Sequence, residues 1–319
     1  MPVLRPTPEN LDRAAAALRA GGVVAIPTET VYGLAANAFD ARAVARIFEI
    51  KRRPTFDPLI VHVLDEAMLA RVVACVPPAA RALIERFWPG PLTLVLRKQP
   101  SVPELVTSGL PTVAVRMPSH PVARSILERT GTPLAAPSAN LFGRLSPTRA
   151  EHVERALGHH IDFILDGGPA EFGLESTIVT LKPAPAVLRP GSITIEEIEQ
   201  VTGPLPAEQS DANHPVMPGG LPQHYAPATP IRLVRAETVP SAERERAGFI
   251  ALSQRAEGYA QARQLSNRGD LREAAARLFE TLHELDDLGL ERIDVEPLPE
   301  RGLGIAIMDR LRRASNVEF

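Results

Sequence analysis

The sequence predicts a two-domain α/β protein, and three observations support that prediction. Short, almost wholly apolar runs alternate with amphipathic helix patterns over roughly the first 200 residues. This alternation is typical of a mixed sheet that is covered on at least one face. A stretch rich in proline and glycine follows, and a second α/β pattern then runs to the end of the chain. Because 319 residues exceed one typical domain, we predict a larger domain at 1–203, a linker at 204–230 and a smaller domain at 231–319.

The larger domain begins with a helix. Thr7 is a suitable N-cap and Pro8 suits the first helical position, so this helix is predicted to start there and to end near Gly21. A second helix is predicted at 41–51, where apolar residues recur on one face. The predicted strands follow the apolar runs at 23–27, 59–64, 92–96, 113–117, 134–136, 163–165 and 177–181.

The linker and the smaller domain follow from a change in composition. Residues 204–230 hold seven prolines and few hydrophobic residues, which is typical of a connecting segment. Order is then predicted to resume, with strands at 231–234, 248–252 and 292–295 and helices at 271–290 and 305–314.

The composition excludes several classes of protein. A net charge of −3 gives no global nucleic-acid signal, and no apolar run approaches the ~20 residues that cross a bilayer. The single cysteine, Cys75, excludes an internal disulfide and a cysteine metal cluster. No signal peptide opens the chain, so a cytoplasmic protein is expected. Neither HExxH nor an acidic cluster occurs, so no protein-built metal site is expected.

Cations stand at the ends of several predicted elements. Lys51 and Arg53 lie where a helix ends, and Arg116 and Arg189 each end a strand. The two residues at the helix end could simply complement the helix dipole. Arginines at strand ends, however, are surrounded by buried neighbours and favour an anionic partner. Together the four cations predict an electropositive cleft.

Hydroxyl groups and one histidine accompany these cations. The hydroxyl groups lie at strand ends or helix starts, where ligands bind in α/β proteins. They are Thr28, Thr30, Ser138, Ser146, Thr148 and Ser176. Helix capping by Ser146, and a plain polar turn around Ser176, remain open alternatives. His62 interrupts an apolar run, and a satisfied core histidine is its simplest interpretation. The motifs GxxxxGK[ST], GxGxxG and GxSxG are absent, so any ATP would be held outside the common phosphate-loop designs.

A series of short motifs occurs in order along almost the whole chain. They are residues 27–34 (PTETVYGL), 51–54 (KRRP), 88–93 (WPGPLT), 115–118 (VRMP), 136–140 (APSAN), 173–177 (GLEST), 188–191 (LRPG), 224–227 (HYAP) and 302–308 (GLGIAIM). Each motif alone is weak, but together they resemble the YrdC-type threonylcarbamoyl-AMP synthases. The last two resemble the long form with a C-terminal extension domain.

The resemblance implies a fold and an activity. The fold would be a YrdC-like open, twisted mixed sheet with helices and a central basic cleft, followed by a smaller Rossmann-like α/β domain. The enzyme, a nucleotidyltransferase, would make L-threonylcarbamoyl-AMP and pyrophosphate from L-threonine, bicarbonate or CO2, and ATP. This is the first step of threonylcarbamoyladenosine modification of tRNA. The implied cofactor is Mg2+ carried by ATP, and the implied partners are a downstream threonylcarbamoyl transferase complex and a weak tRNA contact, with no membrane.

The resemblance also implies roles for residues. Catalysis is assigned to Lys51, Arg53 and Arg116. The L-threonine site would comprise Thr30, His62, Arg116, Ala136 and Ser176. The ATP site would comprise Lys51, Arg53, Asp57, Thr112, Ser138, Asn140, Ser146, Arg189, His224 and Tyr225.

The sequence departs from the family at two places and leaves two other functions open. Asp57 stands where the family commonly has asparagine, and a carboxylate there would repel a triphosphate unless Mg2+ or Lys51 compensates. The linker also lacks the basic residue that the family commonly has just before the His224-Tyr225 pair. One alternative function is a non-catalytic, structured-RNA-binding module that uses the same basic cleft. Another is a related enzyme that uses carbamoyl phosphate, which the linker and the extension domain disfavour.

Overall fold

A computed structural model of the protein describes residues 3–205 and 225–315. Within those ranges the larger unit is built on one ten-stranded mixed sheet, whose strands lie in the spatial order β1-β8-β2-β3-β7-β4-β6-β5-β9-β10. The strands are β1 (Val3–Leu4), β2 (Val24–Ile26), β3 (Gly33–Asn37), β4 (Ile60–His62), β5 (Leu92–Arg97), β6 (Thr112–Arg116), β7 (Leu134–Ala135), β8 (Phe163–Leu165), β9 (Thr177–Thr180) and β10 (Ala186–Arg189).

Eight helices accompany these strands in the described part of the unit, and the last of them follows β10. They are α1 (Pro8–Arg19), α2 (Ala41–Lys51), α3 (Glu66–Val72), α4 (Pro78–Phe87), α5 (Glu104–Thr107), α6 (Pro121–Thr130), α7 (Ala150–Leu157) and α8 (Ile195–Thr202). The end of α2 matters for the site. Its C-cap, Arg52, adopts a left-handed conformation (φ 50°), which stops the helix and turns the chain back towards the sheet. Lys51 and Arg53 on either side of this turn are both buried.

The register of four central strands gives the sheet one covered face and one open face. Side chains alternate between faces along a strand, and directly paired residues share a face. The row Val61–Val115–Leu94–Val179 is fully buried in the hydrophobic core. The row His62–Arg116–Thr93–Ile178 lies on the opposite face. The open face, on which a pocket lies, is therefore polar or charged at three of these four positions, with Ile178 as the exception, where the covered face carries only valine and leucine.

The second unit is a four-stranded, wholly parallel sheet in the order β11-β14-β12-β13. Its elements are β11 (Ile231–Leu233), a 3-10 turn (Ala236–Thr238), α9 (Ser241–Arg244), β12 (Ala247–Ala251), β13 (Gln261–Gln264), α10 (Leu271–Asp286), β14 (Arg292–Val295) and α11 (Leu303–Ser315). Its apolar core is continuous with the larger unit, because Val31, Leu145 and Leu174 join the cluster around Phe279 and Leu278. The second unit thus packs directly on loops of the first.

The structure confirms the predicted fold class, and three strands were not foreseen: the two-residue edge strand β1, and β3 and β13. β3 consists of glycine, alanine, leucine and asparagine, residues that mostly have little β-propensity, yet it lies between β2 and β7 inside the sheet. β13 is a polar edge strand without an apolar run. In both cases pairing with neighbouring strands outweighs local preference. The predicted linker at 204–230 falls mostly on 206–224, outside the described residues, so its course stays a prediction. No helix within the described ranges is long and apolar enough to cross a membrane.

Candidate active site

A pocket opens above the polar row of the sheet, and most of the predicted site residues line it. It lies between the loops after β2 and β7, the strand β4, the start of β9 and the segment around Tyr225. The predicted residues on its wall are Thr30, Arg53, His62, Arg116, Ala136, Ser138, Ser176, Arg189 and Tyr225. Three separate stretches of sequence thus supply cations to a single pocket.

Arg116 is held at the end of β6 by a dense set of partners. Its Nη2 lies 2.5 Å from Glu29 Oε1. Its Nη1 donates to Thr30 Oγ1 over 2.8 Å, and its Nε donates to the carbonyl oxygen of Gly90 over 3.2 Å. Burial acts to raise the pKa of Glu29, but the charge and hydrogen bond of Arg116 outweigh it and leave that pKa lowered. Glu29 is therefore an anion that fixes the guanidinium in place.

His62 lies beside Arg116 in the sheet register, and it is neutral. Burial first, and the nearby Arg116 charge second, lower the pKa of His62 to about 3. Its Nδ1 is buried and has no hydrogen-bond partner in the part of the chain that the structure describes. Buried polar atoms are normally satisfied, so an imidazole nitrogen left this way on a pocket wall is suited to bind a ligand group.

Lys51 shapes the pocket from behind its wall. Its Nζ donates to the carbonyl oxygens of Ser138 over 2.7 Å and Asn140 over 2.5 Å. Burial, followed by the charge of Arg53, lowers the pKa of Lys51 well below its usual value. An ammonium group has three N–H bonds, so two of them hold the Ser138–Asn140 loop and one remains for a further acceptor.

Arg53 and Asp57 form a buried ion pair. Arg53 Nη2 lies 2.9 Å from Asp57 Oδ1 and also donates to the carbonyl oxygen of Pro58 over 2.7 Å. Asp57 is fully buried behind Arg53 and is not part of the pocket wall. The carboxylate that replaces the family's usual asparagine is thus offset directly by Arg53. The sequence had pointed to Lys51 or Mg2+ for that role.

The remaining predicted cation, Arg189, is joined to Ser176. Arg189 Nη2 donates to Ser176 Oγ over 3.2 Å and to its carbonyl oxygen over 3.0 Å. Ser176 Oγ in turn lies 2.8 Å from Thr93 Oγ1, on the polar row of the sheet. This network connects the start of β9 to the end of β10 and sets the arginine beside the pocket.

Besides Lys51 and Asp57, three of the predicted ATP ligands in the described residues do not line the pocket, namely Thr112, Asn140 and Ser146. Thr112 lies on the same face of β6 as Arg116 but four residues earlier, beside a separate apolar cavity with Val95 and Leu181. The Asn140 amide donates to the carbonyl oxygens of Leu141 and Arg144. Ser146 donates to Glu175 over 2.5 Å, and His224 lies outside the described residues. Their nucleotide roles stay predictions.

Sequence reasoning missed one participant, Arg310 of α11. This arginine is fully buried, and its Nε lies 2.8 Å from Glu175 Oε2. Glu175 itself lines the pocket, although the sequence had placed it only within the motif at 173–177 and had given it no role of its own in the site. A signal was available, because Arg310 occupies a core position of α11, in step with the buried Ala306 and Ala314. A charged residue at such a position needs a buried partner.

No group of three or more histidine, cysteine, aspartate or glutamate side chains within 3–205 and 225–315 could hold a metal ion. The pocket instead presents fixed cations, hydroxyls and a neutral imidazole. These groups define a site for small anionic substrates in a two-domain α/β enzyme, since charge-assisted hydrogen bonds from arginine favour carboxylates and phosphates.

The chain belongs to the Sua5, YciO and YrdC family, which is described as "telomere recombination" and whose model matches residues 16–191. Residues 193–316 match the C-terminal domain of threonylcarbamoyl-AMP synthase, which places the chain among the two-domain members.

Similar proteins cover nearly the whole chain. A threonylcarbamoyl-AMP synthase of Bacillus subtilis is 42% identical over 96% of this chain and 93% of its own length. One from Pyrococcus abyssi is 43% identical over 95% of this chain and 93% of its own. The crystal structure of Pyrococcus abyssi Sua5 complexed with L-threonine superposes with a TM-score of 0.89, at 40% identity, over 96% of this chain and 94% of that one.

Proposed function

We propose that this protein is a threonylcarbamoyl-AMP synthase, which joins L-threonine, bicarbonate or CO2, and ATP into L-threonylcarbamoyl-AMP and pyrophosphate. The observation that carries the proposal is the shared pocket. It brings Arg116, Thr30 and His62 together with Arg53 and Arg189 in a chain of this family. One set of groups suits an amino acid and the other suits a triphosphate. The two substrates would meet in one enclosed space, as coupling them requires.

The threonine would bind at the polar row of the sheet. The guanidinium of Arg116, already oriented by Glu29, suits the substrate carboxylate. The neutral Nδ1 of His62 suits a proton donor of the substrate, such as its hydroxyl or amine. Thr30 and Ser176 add hydroxyls, and the backbone at Ala136 borders the same space.

The nucleotide would bind across the open face of the sheet. Arg53 and Arg189 suit the phosphates, and Tyr225 covers them from the second unit's side. Beyond the polar row lies an apolar row, Ile60–Ala114–Val95, and then Thr112. Thr112 is four residues from Arg116, roughly 13 Å along a strand, so it is placed to meet the base or ribose while the phosphates lie at the cations.

The chemistry needs positioning and charge stabilisation more than a nucleophilic side chain. The threonine amine attacks CO2, forming an N–C bond and releasing a proton, and the carbamate oxygen attacks the α-phosphorus. The bond from that phosphorus to the bridging oxygen breaks, and pyrophosphate leaves with the electron pair. Fixed cations stabilise the charge on the phosphoryl oxygens, and an enclosed pocket protects the labile carbamate from water. The Mg2+ would enter as Mg–ATP and be held by phosphates and water.

The alternative of a plain RNA-binding module fits the pocket less well. Arg53, Arg116 and Arg189 are buried and each has a fixed partner or hydrogen bond, whereas a nucleic-acid surface presents exposed cations. We therefore assign the cleft to small substrates. We further propose that the product passes to a downstream threonylcarbamoyl transferase complex acting on tRNA in the cytoplasm, with at most a weak tRNA contact by this chain.

We expect pyrophosphate release only when threonine, bicarbonate and ATP are all supplied. Each omission should reduce the rate to the background of ATP hydrolysis, because the carbamate that attacks ATP needs both of the other substrates. The measurement is a coupled pyrophosphate assay with each substrate left out in turn, and with serine as a matched amino acid. Pyrophosphate release that ignores threonine would contradict the proposal.

Asp57→Asn is expected to tighten ATP binding. The carboxylate offsets one of the cations that would face the phosphates, and asparagine keeps a hydrogen-bond acceptor for Arg53 while removing the charge. We expect the Kd for ATP to fall about threefold to tenfold, or ~0.7–1.4 kcal/mol. Calorimetric titration of the full chain with ATP measures this Kd. Arg53→Ala, which removes the cation of the pair instead of the carboxylate, should weaken ATP binding. Weaker ATP binding in Asp57→Asn than in the parent would contradict this account of the pair.

A further inference from the structure

We infer that Arg310, on the last helix of the second unit, is a positioning residue for the nucleotide half of the active site. It neutralises Glu175 on the pocket wall and braces Tyr225 and the end of β10, so the second unit completes the electrostatics of the pocket. This inference rests on the proposed function and assigns a task to the extension domain.

The contacts of Arg310 run into the pocket from behind. Its Nε pairs with Glu175 Oε2 at 2.8 Å, and its Nη2 donates to the carbonyl oxygen of Pro190 over 3.0 Å. Pro190 directly follows Arg189. The guanidinium carbon lies 5.0 Å from the centre of the Tyr225 ring, within the range of a cation–π contact. One buried side chain therefore touches three parts of the nucleotide side at once.

Tyr225 depends on such support. It adopts a left-handed backbone conformation (φ 68°), which is unfavourable for a bulky residue and persists only where packing imposes it. Its ring packs on Phe279 of α10, with centroids 5.8 Å apart, and over Arg310. Both of these ring contacts come from the second unit, while the backbone of the next residue, Ala226, donates to the carbonyl oxygen of Gly143 in the first. The extension domain therefore helps to set the position of this pocket residue.

Glu175 explains why a cation is needed there. It lies on the wall of a pocket that would receive a triphosphate, and burial would raise its pKa. The charges of Arg310 and then Arg189, with the Ser146 hydroxyl, instead lower that pKa, so Glu175 is an anion. Without Arg310, the cation left to act on Glu175 would be Arg189, which we assign to phosphate. The unpaired carboxylate would then compete with the nucleotide for Arg189 and repel it.

The ion pair is not required simply to dock the two units. The apolar cluster around Leu278 and Phe279 already joins them, and among the described residues two other ion pairs cross the boundary. One of these, Arg149 with Glu280 at 2.5 Å, is partly exposed and lies outside the pocket. Asp309, the second acidic neighbour of Arg310, also pairs with Arg313 at 2.9 Å. Removal of Arg310 therefore leaves Asp309 with a paired cation but takes the ion-pair partner away from Glu175.

The test compares three variants of the full-length chain by ATP titration and by steady-state kinetics. Arg310→Met keeps the length and apolar stem of the side chain but removes its charge. Arg310→Met with Glu175→Gln also removes the carboxylate, and the amide oxygen of the new side chain can still accept the hydrogen bond from Ser146. Arg149→Met removes a boundary ion pair remote from the pocket and serves as the matched control.

We expect Arg310→Met to raise the Kd and KM for ATP roughly tenfold or more, with the KM for threonine changed far less. The double variant should recover most of the ATP affinity, and Arg149→Met should match the parent. A merely structural role would instead lower stability and affect both substrates, and the second substitution would not restore binding. Parent-like ATP binding in Arg310→Met, or a double variant no better than the single one, would overturn the inference. A parent chain that binds ATP but makes no threonine-dependent product would overturn the proposed function. The role of Arg310 in nucleotide binding would then still be tested by the ATP titrations of the variants.

Discussion

Arg116→Gln is expected to remove nearly all threonine-dependent activity. The substitution removes the cation that would bind the threonine carboxylate and leaves Glu29, which is almost fully buried, without its charge partner. Loss of a charge-assisted contact of this kind corresponds to about a hundredfold or more in kcat/KM. The same change should lower the free energy of unfolding by about 3–5 kcal/mol, because an uncompensated buried charge remains. Pyrophosphate release and chemical denaturation measure the two effects.

Glu29→Gln combined with Arg116→Gln separates folding from substrate binding. The double variant buries no unpaired charge, so its stability should return close to that of the parent, while its activity should stay lost. A double variant that recovers threonine-dependent turnover would contradict the role of Arg116 as the carboxylate ligand. In that case the inactivity of Arg116→Gln would come from the unpaired carboxylate of Glu29.

Gly173→Ala is expected to force the two units apart and to inactivate the enzyme. Gly173 adopts φ +64°, and a Cβ atom there would lie 2.3 Å from the carbonyl oxygen of Ala276 in α10. Backbone in the middle of a helix cannot yield to such a clash without moving the whole helix. Glu175 and Ser176 follow two and three residues later, so the displacement would reach the pocket wall. We expect loss of threonine-dependent turnover and a lower midpoint of thermal unfolding.

Gly131→Ala is the matched control for this prediction. Gly131 has almost the same backbone angle (φ +63°), but no atom lies within 4 Å of the position its Cβ would take. Both variants carry the cost of an alanine in the left-handed region, about 1 kcal/mol, and only Gly173→Ala adds the collision with α10. Equal activity in the two variants would contradict the claim that close packing of the units maintains the pocket.

Much of the site was predictable because strand ends are marked in the sequence. Arg116 and Arg189 follow apolar runs and shortly precede proline, so their position at one edge of the sheet could be inferred without knowing the strand order. Most of the residues that the family resemblance assigned to threonine and ATP do line one pocket. Their partners were less accessible to prediction. Glu29 and Arg116 lie far apart in the sequence, and their pairing depends on strand order.

The role of the second unit could not be predicted from local pattern alone. Arg310 reaches Glu175 across 135 positions, through a packing arrangement that no local periodicity encodes. β3 escaped prediction for a related reason, since its small residues are held in strand conformation by β2 and β7. Thr112 shows the opposite case. The strand was predicted at 113–117, one residue short of Thr112, and the register shows that an apolar row separates Thr112 from Arg116.

The most direct test of the central claim follows the carbon of bicarbonate. The enzyme should be incubated with ATP, threonine and 13C-labelled bicarbonate, and the adenylate product analysed promptly by mass spectrometry. We predict an adenylate that contains threonine and one 13C atom, formed together with pyrophosphate. An unlabelled threonyl adenylate, or AMP formed without incorporation of the label, would contradict the account, because the carbamate would then not be the group that attacks ATP.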